Sequence, residues 1–208
     1  MLSSMQKDVL TEILNVQLGA AASLLSEMVD QKVILSVPEL EIKRGAQLNS
    51  DSIKTDRLIE SNQFVLTSVT FGKEFNGKAL VVFPQNNASL LVKACLGKDQ
   101  EFEDNQNLSY EDADVIKEIC NIILNSLVGE FGNMLEIKLE YTSIDLGFSI
   151  DAIDNKDLIP PYSEVLVLYT SFFLTKSQVR GVILVALSAD SFDMLVKKVD
   201  RILRDLNA

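Results

Sequence analysis

Glu12-Ile13-Leu14-Asn15 returns 106 residues further on as Glu118-Ile119-Cys120-Asn121, and Met28 and Lys32 return at the same offset as Met134 and Lys138. Later in each copy the offset becomes 104: Gly77, Leu80 and Val81 match Gly181, Leu184 and Val185, and Leu91-Val92-Lys93 matches Leu195-Val196-Lys197. The chain is therefore an internal repeat. Around the first phrase, Val9, Leu10, Ile13, Leu14, Val16, Leu18, Leu24, Leu25 and Met28 recur at helical spacing, which predicts a long helix from Gln6 to about Asp30 interrupted only by Gly19.

Working outward, Val33 to Ile42, Phe64 to Phe71 and Gly77 to Phe83 carry the β-branched and aromatic content of strands. Gly72 to Gly77 reads as a hairpin connection, and Pro84 ends the third strand. Asn86-Asn87 is placed to cap a helix that runs to Leu96 and stops at Gly97. After a polar, acidic stretch from Lys98 to Asn107 the order returns: a helix near Tyr110 to Met134, strands near Leu135 to Ile150, Glu164 to Leu174 and Val179 to Leu187, and a closing helix from Ala189. The expected fold is α/β of the α+β type, two α-β-β-β-α repeats sharing a sheet core with two long helices packed on it. Each sheet is too small to stand alone, so one pseudo-twofold domain over 1–208 is expected: repeat one at 1–97, a linker at 98–109 and repeat two at 110–208. Loops Gly45 to Asn62 and Asp151 to Ser163 occupy equivalent places, the second holding Pro160-Pro161.

Composition narrows the function. With 208 residues, 47% of them apolar, the chain can build a sizeable core. Nineteen basic against 30 acidic residues leave a net charge of -11, which repels nucleic acid and anionic lipid. There is no histidine, which removes His-based triads and the commonest transition-metal ligand. Cys95 and Cys120 lie in apolar, helix-like stretches without close spacing and read as buried free thiols. No apolar run approaches the ~20 residues of a spanning helix, so no membrane insertion is expected and the cytoplasm is the expected address.

One constellation could carry chemistry. Asp8, Glu12 and Asn15 stand at i, i+4 and i+7, within about 60° of arc on a helix, and Asp114, Glu118 and Asn121 repeat that stripe among apolar neighbours. A solvated helix face is the plain alternative, and duplication alone would preserve it. Asn, however, is a mediocre mid-helix residue, so something other than propensity holds Asn15 and Asn121 in place.

The pattern of Asp, three residues, Glu, two residues, Asn, then 22 residues and Pro resembles the CheC, CheX and FliY family of CheY-P phosphatases. Asp8, Glu12, Asn15 and Pro38 fit it completely, with Pro38 in Leu35-Ser36-Val37-Pro38-Glu39; in the second copy Ile144 stands at the proline position. The length and the two repeats look like CheC over nearly the whole chain. Departures are Gln17, where the family often has a glycine, and Ile122-Ile123-Leu124 in the second helix, whereas Gly19 is kept.

The resemblance implies a phosphatase for the aspartyl phosphate of a CheY-like receiver domain. Asn15 and Asn121 would hold the attacking water, since a carboxamide both donates and accepts. Glu12 and Glu118 would pair with the receiver's lysine. Asp8 and Asp114 would support the helix start through its positive end, and Pro38 would shape a rim where the chain leaves the first strand. The chain itself would need no cofactor or metal, the divalent metal (Mg) coming with the receiver. A non-catalytic receiver-binding or flagellar-switch protein is the alternative, and the resemblance also allows a CheD-like deamidase as partner, which no residue singles out.

Overall fold

The structure, a computed structural model, describes residues 2–53, 63–96, 108–149, 153–174 and 177–206. Its first helix, α1 (Ser4–Val29), begins at Ser3, whose Oγ accepts from Gln6 N at 3.2 Å while Gln6 Oε1 accepts from Ser3 N at 2.7 Å. The second long helix, α4 (Tyr110–Leu135), begins 106 residues later in the same way at Ser109 and Asp112, with distances of 3.1 and 2.8 Å. Such reciprocal boxes satisfy two of the backbone groups that a helix start leaves unpaired. Both helices also end alike, on left-handed residues at Asp30 (φ 49°) and Glu136 (φ 59°).

The strands are β1 (Ile34–Arg44), β2 (Phe64–Gly72), β3 (Gly77–Pro84), β4 (Glu140–Tyr141), β5 (Asp145–Gly147), β6 (Glu164–Leu174) and β7 (Ser177–Leu187). They form one antiparallel seven-stranded sheet in the order β1-β6-β7-β3-β2-β4, with β5 also on β2. The halves exchange strands. β1 of the first repeat pairs with β6 of the second, and β4 and β5 of the second pair with β2 of the first. β3 and β7 join the two halves at the centre, with Leu80 opposite Leu184.

The other helices are the short α2 (Ser50–Ile53) that follows a 3-10 turn at Gly45–Gln47, then α3 (Gln85–Leu96) and α5 (Ala189–Leu206). α1 buries Leu10, Leu14, Leu18, Ala21 and Leu25, one stripe at helical spacing, toward β1 and α4. α4 buries Ile116, Ile119, Ile123, Leu127 and Phe131, the last packing its ring 5.5 Å from that of Phe75. Each fully buried Leu contributes about 1.5–3 kcal/mol, so this layer is a principal source of stability. Segments 45–53 and 153–163 cover the opposite sheet face, where Leu48, Ile153 and Ile159 pack with Phe64, Leu66, Val165, Val167, Val182 and Leu184.

Several expectations need correction. The predicted strand over Leu135 to Ile150 is two short pieces, because α4 runs to Leu135 and a bulge between Tyr141 and Asp145 interrupts the ladder with β2. Asn86-Asn87 does not cap α3: the helix already starts at Gln85, and Asn87 Nδ2 donates to Arg180 O at 2.9 Å instead. Gly97 and the stretch Lys98 to Asn107 lie outside the described residues, as do parts of both equivalent loops. By length and composition, α1 is long and apolar enough to cross a membrane, although its apolar residues do not form one unbroken run. Leu10, Leu14, Leu18 and Leu25 are buried in the core on one side, while Asp8, Glu12, Val16 and Leu24 are exposed.

Candidate functional site

α1 and α4 pack side by side on one face of the sheet and expose the repeated stripe on their outer side. Asp8, Glu12, Asp114 and Glu118 are all exposed, whereas Asn15 and Asn121 are half-buried. Leu10, Leu14, Ile116 and Ile119, which point inward, set this rotation: with the apolar stripe fixed in the core, the Asp and Glu positions must face out.

The two Asn residues are held differently. Asn15 Oδ1 accepts from Val37 N at 2.8 Å, and its Nδ2 donates to Val37 O at 3.3 Å. The reason lies in β1. Ser36 pairs with Ser171 and Glu39 with Tyr169, so Val37 and Pro38 together face the single residue Thr170, a bulge. A bulge withdraws backbone groups from the ladder, and Val37, 1% exposed, cannot turn them to water. Asn15 satisfies both, using one of its two N–H groups and one of its two acceptor positions and leaving one of each free.

In the second copy Asn121 Oδ1 accepts from Asn125 Nδ2 at 2.8 Å, one helical turn along α4. Between Tyr141 and Asp145 the chain spends three residues opposite two of β2, a bulge at the equivalent place, but Thr142 N turns to Thr70 O at 2.9 Å. Among the described residues, Asn121 has no bond to that strand.

Asp8 and Asp114 lie in the second turn of their helices, and the starts are capped by Ser3 with Gln6 and by Ser109 with Asp112. The aspartates expected to support the helix start therefore do not cap it. Pro38 lies inside β1 at the bulge and not where the chain leaves it; Pro has no N–H to lose from the ladder, which suits such a position. The Asn side chains are also less free than a solvent-facing stripe implies, Asn15 above all. Sequence reasoning missed the Val37 backbone and Asn125; the i, i+4 spacing of Asn121 and Asn125 was the available signal for the second, and nothing local marks the first.

What the site presents is a carboxylate and a carboxamide, twice. Away from it, burial pushes the Cys120 thiol up to about 12 and the half-buried Cys95 thiol up to about 11. The Lys198 ammonium, bonded at 2.8 Å, holds the Glu136 carboxyl below its ordinary value.

A strand-exchanged repeat thus lies under two long helices, each presenting Glu and Asn at the same spacing, and it is this arrangement that known proteins share in fold. No family model matches the sequence. The flagellar motor switch phosphatase FliY of Bacillus subtilis (strain 168) is 24% identical over 139 residues, which are 67% of this chain and 34% of that one. The chain thus spans about a third of the length of this curated relative. In fold it is similar to the crystal structure of Thermotoga maritima FliY (TM-score 0.77, 17% identity, 97% of this chain and 98% of that chain). It is similar also to the FliM middle domain from H. pylori (TM-score 0.65, 12% identity, 95% and 99%).

Proposed function

We propose that the chain is a protein aspartyl-phosphate phosphatase that accelerates hydrolysis of the acyl phosphate on a CheY-like receiver domain, in chemotaxis or a related two-component circuit of the cytoplasm. The observation that carries this reading is the exposed Glu beside a half-buried Asn on both long helices, Glu12 with Asn15 and Glu118 with Asn121. The name of the B. subtilis relative supports it.

An acyl phosphate hydrolyses unaided, so the catalyst needs to place water in line and steady the developing charge. Asn15 keeps one N–H and one acceptor position for that water; Asn121 keeps both N–H groups. Glu12 and Glu118 orient the partner by pairing with its active-site lysine. The phosphoryl oxygens are neutralised by the receiver's own Mg and lysine, which lets a chain of net charge -11 act at an anionic centre. Asp8 and Asp114 extend the acidic stripe at its N-terminal end.

The test is a time course of label loss from phosphorylated receiver. The parent is expected to shorten the phosphoryl half-life, and Asn15→Ala with Asn121→Ala to abolish the effect; a double variant as fast as the parent sinks the assignment of roles.

A second reading rests on Asn15, whose amide is already spent in part on Val37. In that reading the same helix faces bind a receiver, or join a flagellar switch, without catalysis. The complex then forms while the phosphoryl half-life is unchanged. A CheD-like deamidase is a third partner to test by pull-down.

A further inference from the structure

We propose that Asn125 is a positioning residue for Asn121, taking in the second site the part that the Val37 backbone N–H takes in the first. This inference rests on the phosphatase reading. The same acceptor is held at the same distance in both copies: Asn15 Oδ1 from Val37 N at 2.8 Å, Asn121 Oδ1 from Asn125 Nδ2 at 2.8 Å. The donors are unrelated. At the repeat offset of 106, Asn125 corresponds to Gly19, which has no side chain to offer, and Val37 corresponds to Ser143, which lies in the break between β4 and β5. Gly19 thus cannot serve Asn15, and among the described residues no bond joins Ser143 to Asn121, so the two copies use different donors.

The consequence follows from the geometry of a carboxamide. Its N and O atoms lie in one plane, so a donor on Oδ1 fixes the direction of both N–H groups. In the first copy Val37 O takes one of them, at 3.3 Å. In the second copy neither is engaged among the described residues, so Asn125 holds the amide with both donors free, one helical turn from Glu118. Without Asn125 the Asn121 amide rotates freely about its terminal torsion, where the energy wells are broad and two-fold, and the water or phosphoryl oxygen it serves loses its fixed partner.

The experiment silences one site at a time through an exposed charge that the core does not use. In the Glu12→Lys protein only the second site acts, and there Asn125→Ala is expected to lower kcat about tenfold on a receiver charged with radiolabelled acetyl phosphate, with KM within about twofold. Asn125→Gln, which keeps an amide donor, is expected to recover most of the loss. In the Glu118→Lys protein Asn125→Ala is expected to change nothing. The free protein gives a second readout: in ¹⁵N-resolved NMR the Asn121 side-chain amide signals are expected to shift and sharpen in Asn125→Ala. An unchanged kcat in the Glu12→Lys background, an equal loss in both backgrounds, or Asn121 signals that do not move would each overturn the proposal. A parent protein without phosphatase activity defeats the underlying reading and any catalytic part for Asn125 with it, while the NMR readout still decides whether the contact exists.

Discussion

Asn15 and Asn121 share a place in the repeat but carry different structural loads, and this asymmetry is measurable apart from function. Removing Asn15 orphans an N–H and a C=O at the β1 bulge, both on a buried residue. Asn15→Ala is expected to cost about 2–3 kcal/mol, because an unsatisfied buried polar group forfeits its full desolvation. Asn121→Ala strands only the half-buried Asn125 amide, which can turn to water, and is expected to cost less than about 1 kcal/mol. Urea unfolding of the two variants checks the difference; equal losses would contradict it. The thiols make a second residue-scale case. Their folded pKa values, about 11 for Cys95 and about 12 for Cys120, lie above the ordinary 9.0, so folding favours the neutral form. That contribution is intact below pH 9 and erodes as pH climbs toward the folded values, since the unfolded thiols ionise first. The urea midpoint is therefore expected to fall between pH 8 and pH 10.5, and less so in a Cys120→Ala protein. The Glu and Asn positions were legible because their spacing places them on one helix face twice. Val37 was not, because a backbone group freed by a bulge leaves no residue type behind to read.

Among the elements, the four longer helices and β6 were legible to within a residue or two, because a buried leucine stripe or an apolar run bounded by Pro161 and polar residues repeats with a clear period, whereas the short α2 fell in what reads as a loop. The stretch from Leu135 to Ile150 failed for the opposite reason: α4 extends to its first residue, and the rest pairs with β2 in two pieces around a bulge whose position depends on the partner strand. Glycine shows how an element's surroundings decide its tolerance. Gly77 in β3 and Gly181 in β7 are repeat equivalents, and a Cβ at Gly77 would press on Phe71 Cζ at 2.8 Å, one at Gly181 on Phe83 Cε1 at 2.6 Å. Gly19 in α1 and Gly129 in α4 have nothing within 4 Å of that position. Alanine at Gly77 or Gly181 is accordingly expected to destabilise by about 1–3 kcal/mol. Alanine at Gly19 or Gly129 is expected to stabilise by up to about 1 kcal/mol through helix propensity. Thermal melts of the four variants would separate the pairs, and a loss at Gly19 or Gly129 would count against the account.

For the whole molecule, the repeat was visible in the letters, whereas the exchange of strands was not, because matched positions show that two units are alike without showing which strand of one lies beside the other. The exchange sets how the halves depend on each other. β1 has its ladder with β6, and β2 has its outer neighbours in β4 and β5, so neither half closes its own sheet. Separated, residues 1–96 would keep only the β2–β3 hairpin, since the partner of β1 lies in the other half. A single hairpin with one long helix buries too little to fold independently. Fragments 1–96 and 108–206 are therefore expected to be largely unfolded or self-associated alone, with poorly dispersed amide spectra. Mixed, they are expected to form a 1:1 complex with the circular dichroism of the intact chain, since central β3–β7 pairing and the helix layer restore the shared core. Cooperative unfolding of fragment 1–96 by itself would show that the exchanged ladder is dispensable, and that each repeat holds its long helix, and the Glu and Asn on it, without the other.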